Sequence, residues 1–233
     1  MRRYDMLTGI IGAMAVETQA IKALMENKTV ETVSGIEFVR GTLCGKNVVV
    51  AQCGIGKVFA AICAQTMIVK YAPDRIINTG VAGTLSKDIG LLDIAVSSAV
   101  VEHDMDTSPL GDPVGLISGI NTVDIPASEK LSEEICTAAH RLGIKCVSGI
   151  IASGDQFIAD KAKKEYIRST FGAIACEMEG ASVGHVCYVN GVDFAVIRCI
   201  SDNADDAAGS MDYPTLCQKA AEQSQRLILE LLS

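Results

Sequence analysis

Hydrophobic positions along the chain follow two alternating patterns. Short, nearly continuous apolar runs of strand length, such as Leu7–Ala13, are followed by longer runs whose apolar residues recur at helical spacing, the first from Ala15 onward. Further strands are predicted at 35–43, 47–53, 75–79, 91–102, 145–152 and 193–200, and further helices at 58–71, 127–142, from 160, 178–189 and 214–232. This alternation predicts an α/β fold, a single domain over residues 1–233 whose mixed, mostly parallel central sheet is flanked by helices on both faces.

Charged side chains follow one of the most apolar predicted strands. The last strand delivers Arg198, Ser201 and Asp202 to its carboxyl end, which is where ligands bind in open α/β sheets. Glu177 and Glu179 lie a helix length earlier, also beside apolar residues. Because an unpaired carboxylate in such surroundings is costly, we interpret these residues as a site rather than as solvated loop ends. Together they suit a reaction that develops positive charge and needs a proton.

A glycine-rich segment, Gly54-Ile-Gly-Lys57, joins a predicted strand to a predicted helix. A Walker A phosphate loop needs glycine in place of Ala51 and Ser or Thr in place of Val58, and the dinucleotide fingerprint needs glycine in place of Phe59. We therefore predict a tight turn that lets the backbone approach a ligand, with Ile55 as part of an apolar wall.

Two other segments follow predicted strands. Thr79-Gly-Val-Ala-Gly83 is predicted as a second glycine turn, whose backbone N–H groups face a ribose or a water. In the segment 153–158, Phe157 lies in a glycine-containing loop where its ring is free to stack on a flat heterocycle, while the Ile158 backbone reads the edge of that heterocycle. The residues alone leave open the alternative that both side chains belong to the core.

Charge and cysteine content narrow the classes of partner. The net charge is −8 without a basic stretch, which argues against nucleic acid, and no apolar run approaches the roughly 20 residues of a membrane span. The nine cysteines are scattered without a C-x-x-C pair, which predicts reduced thiols in a cytoplasmic protein rather than zinc ligands or disulfides. The acids at 202, 205 and 206 lack the spacing of a calcium loop, so no metal is predicted.

An ordered set of motifs resembles the bacterial 5′-methylthioadenosine/S-adenosylhomocysteine nucleosidases. The set comprises Gly12-Ala-Met14 with Glu17, and the segments 53–57, 78–83, 153–158, 177–179 and 198–202. Single motifs are weak, but their order and intervals are highly specific. The resemblance implies a nucleoside-phosphorylase-like fold, a homodimer, and cofactor-free hydrolysis of the adenine–ribose bond of methylthioadenosine, adenosylhomocysteine and 5′-deoxyadenosine, in methionine salvage.

The resemblance also implies roles for individual residues. Asp202 is the candidate general acid that protonates the departing adenine, with Ser201 orienting it. Glu17 is the candidate base for the attacking water, which Arg198 helps to position while keeping Glu17 ionised. Glu179 resembles the ligand of the ribose hydroxyls. The other implied substrate contacts are Met14, Ile55, Gly83, Phe157, Ile158, Glu177, Met178 and, from the partner subunit, Leu110.

Two positions depart from the family pattern. Val81 stands where the family often has Ser, so any polar contact of that Ser beside the ribose is lost. Leu110 stands where a Phe often caps the 5′ pocket, which keeps the wall apolar but changes its shape. Phosphorylase relatives hold phosphate with arginines, whereas Glu17 and Asn78 occupy the corresponding turns here, so we predict water as the nucleophile.

Two other functions stay open. The first is a non-catalytic adenosine-binding module, although binding alone does not need an acid and a base on opposite faces of the ligand. The second is a hydrolase for a different purine nucleoside, such as a futalosine-type intermediate, which the residues around Phe157 and Leu110 do not exclude.

Overall fold

The computed structural model describes residues 6–202 and 213–233. The strands are β1 Leu7–Gly12, β2 Glu26–Val33, β3 Ile36–Leu43, β4 Lys46–Gln52, β5 Arg75–Thr84, β6 Ile94–Glu102, β7 Ile125–Pro126, β8 Cys146–Ser153, β9 Ala173–Glu177 and β10 Asp193–Asp202. The helices are α1 Ala15–Leu24, α2 Lys57–Tyr71, α3 Glu129–Arg141, α4 Lys161–Phe171, α5 Gly180–Asn190 and α6 Tyr213–Leu232. Asp205 and Asp206, two acids of the rejected calcium loop, lie outside the described residues.

Strand β5 organises the sheet because it has neighbours along both edges. One edge pairs in parallel with β10, and the other pairs in parallel with β1 and then antiparallel with β9. From β9 the pairing continues through β8 and β6 back to β10, which closes a ring of strands, while β4, β3 and β2 extend the sheet beyond β1. Parallel and antiparallel strand pairs are equally frequent among the described residues, but the parallel pairs involve more residues, so the predicted mixed, mostly parallel sheet is confirmed.

Helices cover both faces of the sheet, as the continuous apolar runs of the strands require. Helices α2 and α5 pack together on one face, where Ile11 is buried, and α1, α3 and α6 lie on the other, where Ile10 is buried. Neighbouring residues of β1 thus point into different layers, following the two-residue period of a strand. Among the described residues, no helix is long and apolar enough to cross a membrane.

The hydrophobic pattern did not predict β2 and β9. Strand β2 pairs only with β3 among the described strands, and its side chains are exposed apart from a half-buried Val33. A solvated edge strand carries no apolar alternation, so its sequence looks like a polar loop. Strand β9 has only five residues and leads almost directly into α5, which hides it before the apolar pattern of that helix.

The second predicted glycine turn, at 79–83, is wrong because these residues continue β5 in extended conformation. A Cβ atom on Gly80 would lie 2.8 Å from Oε1 of Glu17, and one on Gly83 would lie 2.7 Å from Oδ1 of Asp202. At both positions the absence of a side chain leaves room for a carboxylate to pack against the strand backbone, and the chain does not turn there.

Candidate active site

A cleft with a cavity volume of about 130 Å³ opens where β1, β5, β9 and β10 end. Its lining combines apolar side chains with a few polar and charged ones, as is typical of small-molecule sites. The predicted residues that line it are Met14, Glu17, Ile55, Gly83, Phe157, Ile158, Glu177, Met178, Glu179, Ser201 and Asp202. The structure therefore brings together residues that are far apart in the chain.

Glu17 lies in the first turn of α1 and is buried. Its Oε2 atom accepts hydrogen bonds from the backbone N–H groups of Ala13 and Met14, both at 2.8 Å, and its Oε1 atom accepts one from Val81 at 3.3 Å. Burial raises the pKa of the Glu17 carboxyl, although the backbone donors and the Arg198 guanidinium oppose this effect. Such a carboxyl is a better proton acceptor than a solvated one.

Arg198 is buried behind the wall of the cleft. Its Nε and Nη2 atoms donate to Oε2 of Glu177, and its Nη1 atom donates to the carbonyl oxygens of Asn78 and Ile197. Nη2 also contacts the Asn78 side chain and lies 4.0 Å from Oε2 of Glu179. The Arg198 charge lowers the pKa of Glu17, in line with the expectation that it helps to keep Glu17 ionised, but its direct carboxylate partner is Glu177.

Glu177 and Glu179 are two residues apart, yet their environments differ. Burial raises the pKa of Glu177, but Arg198, the Ser153 hydroxyl and the Gly180 N–H outweigh it, so the pKa lies below its ordinary value. In Glu179, burial and the neighbouring Glu177 anion outweigh Arg198 and raise the pKa to about 7. Glu177 is thus a fixed anion within a hydrogen-bond network, whereas Glu179 titrates near neutrality.

The first predicted glycine turn is confirmed. Gly54 and Gly56 both have φ values of +98°, a region that favours glycine, and α2 begins directly after them. The Gly56 N–H donates to Oε1 of Glu179 at 2.8 Å, so the turn orients this carboxylate. Ile55 lines the cleft from the same turn.

Asp202 lies at the end of β10, where a register shift between Ile200 and Asp202 interrupts the pairing with β5. Such a bulge redirects a side chain, here into the cleft beside buried Ser201. The Nζ atom of Lys164 lies 3.4 Å from Oδ2 of Asp202. Sequence reasoning missed Lys164 because it lies in a charged stretch of α4 that resembles a solvated helix face; its burial is a tertiary effect.

The loop after β8 contributes Phe157, whose side chain is 65% exposed at the cleft, and half-buried Ile158. This excludes the alternative that Phe157 belongs to the core. Asp155 of the same loop accepts a hydrogen bond from the Lys57 N–H at 2.7 Å, which ties the loop to the start of α2.

Leu110 does not line the cleft of its own chain. It ends a short 3₁₀ helix, Ser108–Leu110, and is 84% exposed. Sequence reasoning placed it in a partner's site, and this placement stays a prediction.

Comparisons with known proteins show the family of the chain. A family model, the phosphorylase superfamily, matches residues 8–233. The 5′-methylthioadenosine/S-adenosylhomocysteine nucleosidase of Shewanella putrefaciens is 42% identical over 229 residues, which cover 97% of this chain and 98% of the relative.

Solved structures give the same result. A mutant nucleosidase from Helicobacter pylori, with 5′-methylthioadenosine in its active site, has a TM-score of 0.91 and 36% identity, covering 97% of both chains. A futalosine hydrolase from the same organism has a TM-score of 0.90 and 35% identity, covering 99% of this chain and 98% of the other. The chain therefore belongs to the phosphorylase superfamily and, within it, to the 5′-methylthioadenosine/S-adenosylhomocysteine nucleosidase family.

Proposed function

We propose that the chain hydrolyses the N-glycosidic bond of 5′-methylthioadenosine and S-adenosylhomocysteine, and also of 5′-deoxyadenosine. The products are adenine and the 5′-substituted ribose, which places the reaction in methionine salvage and in recycling of S-adenosylmethionine by-products. No cofactor enters the proposed reaction.

The observation that carries the proposal is the placement of two carboxylates along one strand. Glu17 packs against Gly80 and Asp202 against Gly83. Gly80 and Gly83 are about 10 Å apart along the strand, and both carboxylates line the same cleft. This arrangement suits a nucleoside whose ribose lies near Glu17 and whose base lies near Asp202.

Asp202 would donate the proton that the leaving adenine requires. As the glycosidic bond stretches, electrons move into the purine, and its N7 atom becomes more basic. An acid beside this atom lowers the barrier because it acts only as the charge develops. Phe157 would stack on the purine ring from the open side of the cleft.

The ribose end of the nucleoside needs a nucleophile and a negative charge that balances the positive charge on the sugar. The raised pKa of Glu17 suits a base that takes a proton from water. Glu179 would accept hydrogen bonds from the ribose hydroxyls, and in its ionised form it would favour the cationic sugar. The buried Glu177–Arg198 pair would hold this arrangement in place and moderate its negative charge.

Water is favoured over phosphate as the nucleophile. Binding a phosphate dianion requires free cationic donors, but the Arg198 guanidinium already donates to Glu177, Asn78 and a backbone carbonyl. The Glu17 carboxylate would in addition repel such an anion.

The active form would be a homodimer in the cytoplasm. Helix α2 exposes Val58, Phe59, Ile62 and Val69, an apolar face that a second copy would cover. Leu110 would then reach the partner's cleft and close the 5′ pocket. Scattered cysteines that are free thiols suit a reducing compartment, and the net charge of −8 opposes nucleic-acid binding. Sedimentation as a monomer at micromolar concentration would contradict the dimer.

A second candidate is a hydrolase of futalosine-type nucleosides, favoured by the similarity to the futalosine hydrolase. It uses the same acid and base but a larger 5′ substituent. Comparing kcat/KM for both substrates decides between them.

The decisive experiment is chromatography of the products after incubation with methylthioadenosine in phosphate-free buffer. Free adenine and methylthioribose are expected, without stimulation by phosphate or arsenate. A sugar phosphate would instead indicate phosphorolysis, and binding without product release would indicate a binding module.

The Asp202→Asn variant tests the proposal that Asp202 is the general acid. Adenine release should fall at least about 100-fold, the usual contribution of a general acid, while purine binding persists. Asp193→Asn is the matched control, because Asp193 is exposed at the opposite end of the same strand. Wild-type turnover by Asp202→Asn would show that another group supplies the proton.

A further inference from the structure

Two cysteine thiols meet on the face of the sheet that α3 covers. Cys136 of α3 and Cys146, the first residue of β8, place their Sγ atoms 3.0 Å apart. Both side chains are half-buried, so a small reagent can reach them. The sulfur atoms are about 1 Å further apart than the roughly 2.05 Å of a disulfide bond, so a small rotation of the side chains closes the distance.

The other cysteines lack this arrangement. Six are buried: Cys53, Cys63, Cys176, Cys187, Cys199 and Cys217. Burial raises the pKa of the Cys63 and Cys187 thiols to about 12, which suppresses the reactive thiolate. Cys44 is exposed, and its Sγ atom contacts the Leu229 carbonyl oxygen rather than another thiol. Proximity and access thus coincide at Cys136 and Cys146.

We propose that Cys136 and Cys146 are a reversible oxidation site that forms an intrachain disulfide on reaction with a small disulfide such as oxidised glutathione. The Cys136 thiolate attacks one glutathione sulfur and expels the other as a thiolate. Cys146 then loses its proton and attacks the Cys136 sulfur, expelling the second glutathione. The two cysteines lose two electrons, and one oxidised glutathione becomes two reduced molecules.

The order of attack follows from the surroundings of the two thiols. The hydrogen bond between the two thiols lowers the pKa of Cys136, against the effect of its partial burial, whereas the same contact and burial raise the pKa of Cys146. Cys136 is therefore the attacking sulfur and Cys146 the resolving one. A resolving partner this close also protects Cys136 from irreversible oxidation to the sulfinic acid.

The bond would close a short loop before the start of β8, and this loop is far from the cleft. Ser153, at the other end of this strand, lies seven residues from Cys146, a distance of about 23 Å. Closing the loop restricts the unfolded chain, so oxidation should raise Tm by several degrees.

The test is to treat the folded chain with oxidised glutathione and to map unreduced peptides by mass spectrometry. A Cys136–Cys146 link and a rise in Tm are expected for the wild type and for the Cys44→Ser control, both reversed by dithiothreitol. Cys146→Ser should retain glutathione on Cys136, and Cys136→Ser should form neither adduct nor link at this pair. Oxidised chain without the link, or links through other cysteines instead, would overturn the proposal.

Discussion

The cleft has two halves that are built differently. The inner half consists of Glu17, Glu177, Glu179 and Arg198, and the outer half consists of Phe157 and Asp202. Every inner side chain is buried and bonded to backbone groups or to its neighbours, whereas Phe157 is 65% exposed and the Asp202 side chain 27%. The inner half is thus set by folding of the chain itself, while the outer half leaves room for a planar ligand to complete the packing.

The variant expected to have the largest effect is Glu177→Gln, which tests whether the inner half is rigid. The substitution keeps the shape but leaves the Arg198 guanidinium buried without its anion, which is expected to lower the free energy of unfolding by about 3–5 kcal/mol. Urea titration measures the loss. Glu165→Gln is the control, because the exposed pair of Glu165 with Arg168 should contribute little. Equal effects of the two variants would remove the distinction between a rigid inner half and the surface.

The next largest effect is a pH dependence that arises in the inner half. Burial and the neighbouring Glu177 anion raise the pKa of Glu179 to about 7, and the proposed ribose contact would need the ionised form, so kcat/KM should fall as pH drops below about 7. The limiting decline is about tenfold per pH unit. Protonation of Glu17 acts in the same direction, since its pKa is also raised.

The Glu179→Gln variant separates these two contributions. Its overall rate should be lower, and the decline in rate caused by protonation of Glu179 near pH 7 should disappear, while any decline caused by protonation of Glu17 persists. Initial rates between pH 5 and 9 measure both features. If kcat/KM of this variant still fell below about pH 7, the pH dependence would belong to another group.

The smallest predicted effect concerns the outer half. Phe157→Ala should lower kcat/KM about tenfold, because stacking of a base on an aromatic ring contributes about 1–3 kcal/mol. The free energy of unfolding should hardly change, since the ring is largely exposed. Tyr166→Ala, at an exposed aromatic of α4, is the control for both measurements. A large loss of stability would show that Phe157 belongs to the framework of the protein.

Much of the fold followed from local patterns. Strand and helix periods predicted the alternating elements, and the helices predicted at 127–142 and from 160 begin at Glu129 and Lys161. The failures have one cause, which is that a local pattern does not report tertiary surroundings. Polar β2 is a strand only because it pairs with β3, and Gly80 lies in a strand that a carboxylate approaches.

The candidate site likewise has a part that the sequence predicted and a part that it could not predict. Most residues that the motifs selected do line one cleft, since the carboxyl ends of neighbouring strands meet there. The burial of Lys164 and the pairing of Arg198 with Glu177 could not be predicted from the sequence, because each depends on elements that meet only in the folded chain. The roles of Glu17 and Asp202 in catalysis stay predictions until the variants are measured.

The two glycines of β5 also limit how this enzyme can be altered. Both carboxylates lie directly against the strand backbone at these glycines, so the addition of a methyl group would displace the carboxylate of Glu17 or of Asp202. Attempts to engineer a new substrate range are therefore best directed at the loops around the cleft mouth. Strand β5 fixes the positions of the Glu17 and Asp202 carboxylates, and altering either glycine would change the distance between them.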